Sequence, residues 1–234
     1  MSRPARATAV PAAVPVTCAT PPLGNALLAG ASGLVGQALA HQWAGPGTLH
    51  LLVRRPLPAG RLQRVHVVDF AALPRLPAAQ DAYCCLGTTI KAAGSQAAFR
   101  AVDFDAVLAF ARAARRAGCS RLAVVSALGA SPRSATFYNR VKSEMEVALR
   151  ELGFATLVIA RPSLLTGDRS ALGQPARRGE QLALRLGAPL APLIPKAWRP
   201  IAATTVARAL LGALAQGPAG LQVIESAQLQ DLGA

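Results

Sequence analysis

The stretch LLAGASGLVGQAL, residues 27–39, decides the architecture. A short aliphatic run, Ala26 to Ala29, meets glycines spaced three apart, Gly30, Gly33 and Gly36, and passes into an apolar pattern that reads as a helix from Gly33 to Trp43. A strand that turns tightly into a helix uses all three. Gly30 lets the chain turn, Gly33 lets the backbone approach a pyrophosphate, and Gly36 lets helix and strand pack closely. The phosphates then meet free N–H groups at the positive end of a helix. The segment predicts a dinucleotide site.

Outward from this turn, aliphatic runs alternate with helical patterns. The predicted strands are Ala26 to Ala29, Leu49 to Val53, Val65 to Val68, Ala82 to Leu86, Leu122 to Ser126 and Thr156 to Ala160, with Leu221 to Glu225 as a last candidate. Between them, Gln96 to Ala117 and Phe137 to Leu152 repeat apolar residues at three and four, and Gly118 and Gly153 stand where helix stops belong. Past residue 163 the pattern loosens. A short helix over Gly179 to Leu186 stops at Gly187, prolines 189, 192 and 195 mark a loop, and Thr204 caps a helix to Ala215. The class is α/β, a doubly wound parallel sheet covered on both faces, with a small C-terminal elaboration from about residue 164 that covers substrate. Residues 25–234 form a single domain on this reading, preceded by a disordered Ala/Pro-rich extension over 1–24.

Composition agrees. The 234 residues are 52% hydrophobic but only 4% aromatic, so the core is aliphatic. A formal charge of +14 raises the question of nucleic acid, yet the basic residues are dispersed among alanine and leucine, with no long Lys/Arg run or aromatic-studded patch. No nucleic-acid partner is expected. No uninterrupted apolar run reaches the roughly 18 residues of a membrane span, and prolines 11 and 15 interrupt any signal-like helix, so a cytoplasmic chain with no membrane partner is expected. Cysteines 18, 84, 85 and 119 lack metal-ligand spacing; buried free thiols are expected, and no metal.

Cofactor choice turns on the end of the second strand. An NAD enzyme usually presents an acid there, whereas this strand ends in Arg54 and Arg55, with no carboxylate before Asp69. Guanidinium groups suit a dianionic 2′-phosphate by charge and bidentate geometry. NADP(H) is the preferred cofactor and NAD(H) the alternative. Asp69 has two open readings, an adenine contact or a loop cap.

Tyr138 and Lys142 stand in FYNRVKSE, one helical turn apart on one face. A phenol with an ordinary pKa of about 10 is a poor acid–base group at neutral pH, and a nearby ammonium favours its ionised form. Lysine is scarce here, at 91, 142 and 196 among 25 basic residues, which makes Lys142 informative. The alternative is an exposed i, i+4 pair. Ser126, predicted to end the fifth strand, is the candidate for orienting a substrate carbonyl, with Ser131 and Ser134 as rivals, while Pro162 and Ser163 would flank the nicotinamide end.

Together, GASGLVG, CCLGTT, AFRAVDFDAVL, VVSALGA, YNRVK and ARPSLLTG resemble the atypical short-chain dehydrogenase/reductases, most closely the Tat-interacting, oxidoreductase-like family, over roughly residues 25–225. The resemblance implies a Rossmann-like NADP(H) binder acting on a small carbonyl or alcohol, or a non-catalytic NADP(H) sensor. It further implies that Gly30, Ser32, Gly33, Leu34 and Val35 line the pyrophosphate, Arg54 and Arg55 the 2′-phosphate, and Leu86, Gly87 and Thr88 the ribose. Tyr138 and Lys142 would hold the nicotinamide ribose and the reacting oxygen. Two features depart from the pattern: Asp103 stands where many relatives have asparagine, and Ala127 follows Ser126 where many have a second serine. An aliphatic face on the long helices is available either to the core or to a homodimer partner.

Overall fold

Strands buried on both faces read as continuous aliphatic runs, and Ala26–Ala29 (β1) is one, with all four residues buried. In this computed structural model, which describes residues 24–167 and 195–234, β1 lies near the middle of a seven-stranded parallel sheet. The chain order is β1, α1 (Leu34–Gln42), β2 (Leu49–Val53), β3 (Gln63–Val67), β4 (Asp81–Cys84), α2 (Ile90–Ala93), α3 (Gln96–Arg100), a π-helical segment (Ala101–Ala106) and α4 (Val107–Arg116). There follow β5 (Arg121–Val125), α5 (Phe137–Arg150), β6 (Thr156–Arg161), β7 (Leu165–Thr166), a 3-10 turn (Lys196–Trp198), β8 (Ile201–Ala202), α6 (Ala203–Gln216), β9 (Gly220–Glu225) and α7 (Ser226–Leu232). The sheet order is β3-β2-β1-β4-β5-β6-β9. The strand order reverses between β1 and β4, where a doubly wound sheet opens its ligand crevice.

Alternate residues sort into two layers. Leu28, Leu51, Tyr83 and Val158 face α1 and α6, meeting Val35, Leu39, Val206 and Leu210. Leu27, Leu52, Cys84 and Ile159 face α4 and α5, meeting Phe110, Ala111, Met145 and Leu149.

All seven sheet strands fall where the sequence predicts them, with ends shifted by a residue or two. The single helix predicted over Gln96 to Ala117 is instead three segments. Ser95 caps α3 by accepting from the Ala98 N–H at 3.0 Å, and the chain then widens into the π segment before regaining α geometry. Thr204 is not a cap: α6 starts one residue earlier, with Ala202 at its N-cap and no side-chain hydrogen bond. The β7–β8 pair and α7 go beyond the sequence reading; α7 starts with a Glu225–Gln228 capping box. The expectations over 1–23 and the helix over 179–186 lie outside the described residues.

Candidate functional site

The three glycines of the first turn have different reasons to be glycine. Gly30 has φ +85° and packs its Cα against the Cys85 carbonyl, which a Cβ would meet at 2.5 Å. A Cβ on Gly36 would lie 2.1 Å from the Gly30 oxygen. A Cβ on Gly33 would meet only the Gly30 oxygen at 3.4 Å and the Cys85 oxygen at 4.0 Å. The protein's own packing therefore does not demand glycine at 33, and the space above it is open to a ligand. Gly33 is the N-cap of α1, no side chain caps the first-turn N–H groups, and no acidic residue enters that turn. A pyrophosphate fits these donors, and Ser32, Leu34 and Val35 surround them.

Arg54 and Arg55 follow β2 directly, both exposed, and neither makes an ion pair among the described residues. Asp69 is exposed, and its Oδ1 accepts the Ala71 N–H at 2.9 Å, so its carboxylate caps the loop after β3.

Past β4, Cys85, Leu86, Gly87 and Thr88 cross the crevice beside α5 and the π segment. The Thr88 N–H donates to Asp103 Oδ2 at 2.8 Å. Asp103 Oδ1 lies 2.8 Å from Lys142 Nζ, and Lys142 also donates to the Val125 carbonyl at 3.4 Å. Both side chains are buried. Burial works against the charge on Lys142, but Asp103, and then Tyr138, outweigh it and hold the ammonium above its ordinary pKa. Tyr138, one turn before Lys142 on α5, lays its ring against the buried Phe99, centroids 5.1 Å apart. Phenol, ammonium and carboxylate thus gather at the carboxyl edge of the sheet, a short crossing from the glycine turn.

Ser126 behaves differently from the sequence reading. It lies just past β5, 4% exposed, and its hydroxyl donates to Glu146 Oε1 at 2.5 Å. Glu146 also takes two bonds from Arg161, at 2.9 and 2.6 Å, and Arg161 reaches Glu225 at 2.9 Å. The serine is committed to a buried ionic cluster that ties β5, α5, β6 and β9. Ser131 and Ser134 serve their own loop, Ser131 accepting from the Arg133 N–H and Ser134 from the Thr136 N–H. Pro162 follows β6, and Ser163 donates to the Arg199 carbonyl at 2.5 Å, tying the crevice wall to the C-terminal segment.

Sequence reasoning missed Phe99, Glu146 and Arg161. Glu146 had a signal, since it continues the i, i+4 series of Tyr138 and Lys142. Cys84, Cys85 and Cys119 are free; burial pushes the Cys84 and Cys119 thiols up to about 12. Among the described residues no group of three or more potential ligands could hold a metal, and no helix is long and apolar enough to cross a membrane.

No protein-family model matches the chain. It is 34% identical over 224 residues to Protein HTATIP2 of Rattus norvegicus, covering 89% of each chain. It is 37% identical over 152 residues to Protein FMP52, mitochondrial, of Eremothecium gossypii, covering 62% of this chain and 68% of the relative. Among solved structures it is similar to MoeE5 in complex with UDP-glucose and NAD, with a TM-score of 0.66, 20% identity, and 86% of this chain and 75% of that one covered. That structural likeness speaks for the fold. The relationship to HTATIP2, spanning nearly the whole of both sequences, goes further: the chain belongs to the Tat-interacting, oxidoreductase-like family of atypical short-chain dehydrogenase/reductases.

Proposed function

We propose that the protein is an NADP(H)-dependent oxidoreductase acting on a small carbonyl or alcohol. One observation carries the reading: Tyr138 and a buried, charged Lys142 share a face of α5 at the sheet edge served by an uncapped, glycine-lined helix N-terminus. The N–H groups of Ser32, Leu34 and Val35 around the start of α1 would hold the pyrophosphate, with Gly33, whose own N–H donates to the Gly30 carbonyl at 3.0 Å, leaving room for its approach; Arg54 and Arg55 would hold the 2′-phosphate, and Leu86, Gly87 and Thr88 would line the ribose. When bound, the nicotinamide supplies or takes up a hydride. Tyr138 passes a proton to or from the substrate oxygen, and Lys142 steadies the phenolate left behind. The same groups serve an epimerase or dehydratase that keeps its cofactor, and the structural neighbour MoeE5 is in complex with both UDP-glucose and NAD. The NADP(H) preference rests on the two exposed arginines.

A non-catalytic NADP(H) sensor is the second reading, favoured by the commitment of Ser126 to Glu146, which leaves the substrate oxygen without that donor. The test is consumption of NADPH with a panel of aldehydes, ketones and quinones. Turnover that disappears in Tyr138→Phe while NADPH affinity stays within a few fold supports the enzyme; tight binding with no turnover on any substrate supports the sensor, and full activity in Tyr138→Phe defeats the acid–base assignment. The buried free thiols suit a reducing compartment such as the cytoplasm, whereas the FMP52 relatives are named mitochondrial.

A further inference from the structure

Asp103 and Lys142 form an ion pair sealed from water, with side chains 0% and 3% exposed and 2.8 Å between Oδ1 and Nζ. Among the described residues, the groups that act on Lys142 besides Asp103 come from three elements. From β4 comes Cys84, whose thiol burial keeps neutral. From the end of β5 comes the Val125 carbonyl, a weak partner at 3.4 Å. Along α5 itself stand Tyr138, and Glu146, which is already engaged by Ser126 and Arg161. The backbone passes close at Gly87, where a Cβ would lie 3.9 Å from Nζ and 3.4 Å from Asp103 Oδ1. An ammonium buried in this company without a counter-charge sheds its proton, because desolvation penalises the charged form. Asp103 is the group that offsets this cost.

Asp103 is itself held from two sides. The Thr88 N–H fixes Oδ2 at 2.8 Å, and the residue lies within the π-helical segment, a widening that interrupts α geometry where the carboxylate turns inward.

We propose that Asp103 is a positioning residue that keeps Lys142 protonated and fixed beside Tyr138. The inference rests on reading Tyr138 and Lys142 as the acid–base pair. At rest the carboxylate carries the counter-charge to the ammonium; once Tyr138 has given its proton to a substrate oxygen, the phenolate shares that role. No proton need enter or leave Asp103.

The test reads Lys142 itself. In Asp103→Asn the Lys142 ammonium should titrate about one pH unit or more lower than in the wild type, and an unchanged midpoint overturns the proposal. Should Asp103→Asn not fold, the wild-type protein carries the test. With three lysines, at 91, 142 and 196, nitrogen NMR of the side-chain Nζ groups resolves Lys142, assigned by its loss in Lys142→Met. Its signal should remain that of an ammonium through the ordinary lysine range, and titration below that range overturns the proposal. None of these measurements requires turnover, so an inactive protein would defeat the oxidoreductase reading and leave this result standing.

Discussion

Ser126 donates its hydroxyl hydrogen to Glu146, which lies one helical turn beyond Lys142 on the same face of α5. The bond is buried and charge-assisted, and Arg161 completes it from β6. Ser126→Ala should therefore cost about 1–3 kcal/mol of stability by leaving one buried carboxylate contact unmade. Denaturant unfolding reads this directly. The variant should keep its NADPH affinity; a large loss of turnover at unchanged stability would return Ser126 to the substrate oxygen.

The last two glycines of the pattern separate folding from binding. Gly36→Ala forces a methyl to within 2.1 Å of the Gly30 oxygen and should lose about 3 kcal/mol or more, seen as a lowered melting temperature. Gly33→Ala meets nothing closer than 3.4 Å and should melt like the wild type. Its NADPH affinity should nonetheless drop about tenfold or more, since the methyl occupies the pyrophosphate's approach.

Arg54 and Arg55 contribute to no ion pair among the described residues, so their removal should leave stability within about 0.5 kcal/mol. Replacing both by alanine should cut the preference for NADPH over NADH by about 10- to 100-fold, the equivalent of one or two charge-assisted bonds. Parallel titrations with the two cofactors check this, and an unchanged ratio would assign the arginines to ordinary surface charge.

His50 and His66 hydrogen-bond across β2 and β3 through Nδ1 and Nε2 at 2.9 Å. Burial, then the charges of His66 and Arg64, lower the pKa of His50 below its ordinary 6.5. The folded state therefore favours neutral His50. Its contribution is intact above pH 6.5 and is lost as pH falls from there toward the depressed folded pKa, where the unfolded chain takes up the proton first. Denaturation midpoints should fall on mild acidification, and His50→Gln should remove that part of the slope.

The glycine turn and the sheet were legible because their signals are local: an aliphatic run, a glycine spacing and a helical period within a dozen residues of one another. Tyr138 and Lys142 were legible for the same reason, being neighbours on one helix. What escaped depends on distant partners. Asp103 stood out in the sequence as an unusual residue, yet nothing local announces that a π-helical segment turns it toward a lysine 39 positions later. Ser126 sits where a catalytic serine would, and only the fold brings Glu146 and Arg161 to its hydroxyl. Thr204 has the chemistry of a cap, but the chain is already helical at Ala203, with Ala202 at the N-cap just after the short β8.

The parallel pairing of β6 with β9 has a consequence for synthesis. Arg161 meets Glu225 across a separation of 64 residues, and all six residues of β6 have partners in β9. At about 5–20 residues per second, translation leaves β6 with an open backbone edge for several seconds after it emerges. During that interval an aliphatic strand with five of its six residues destined for burial is free to pair with another nascent chain. Completion of β9 ends that exposure, so truncations upstream of Gly220 should aggregate even though the crevice residues have already been made.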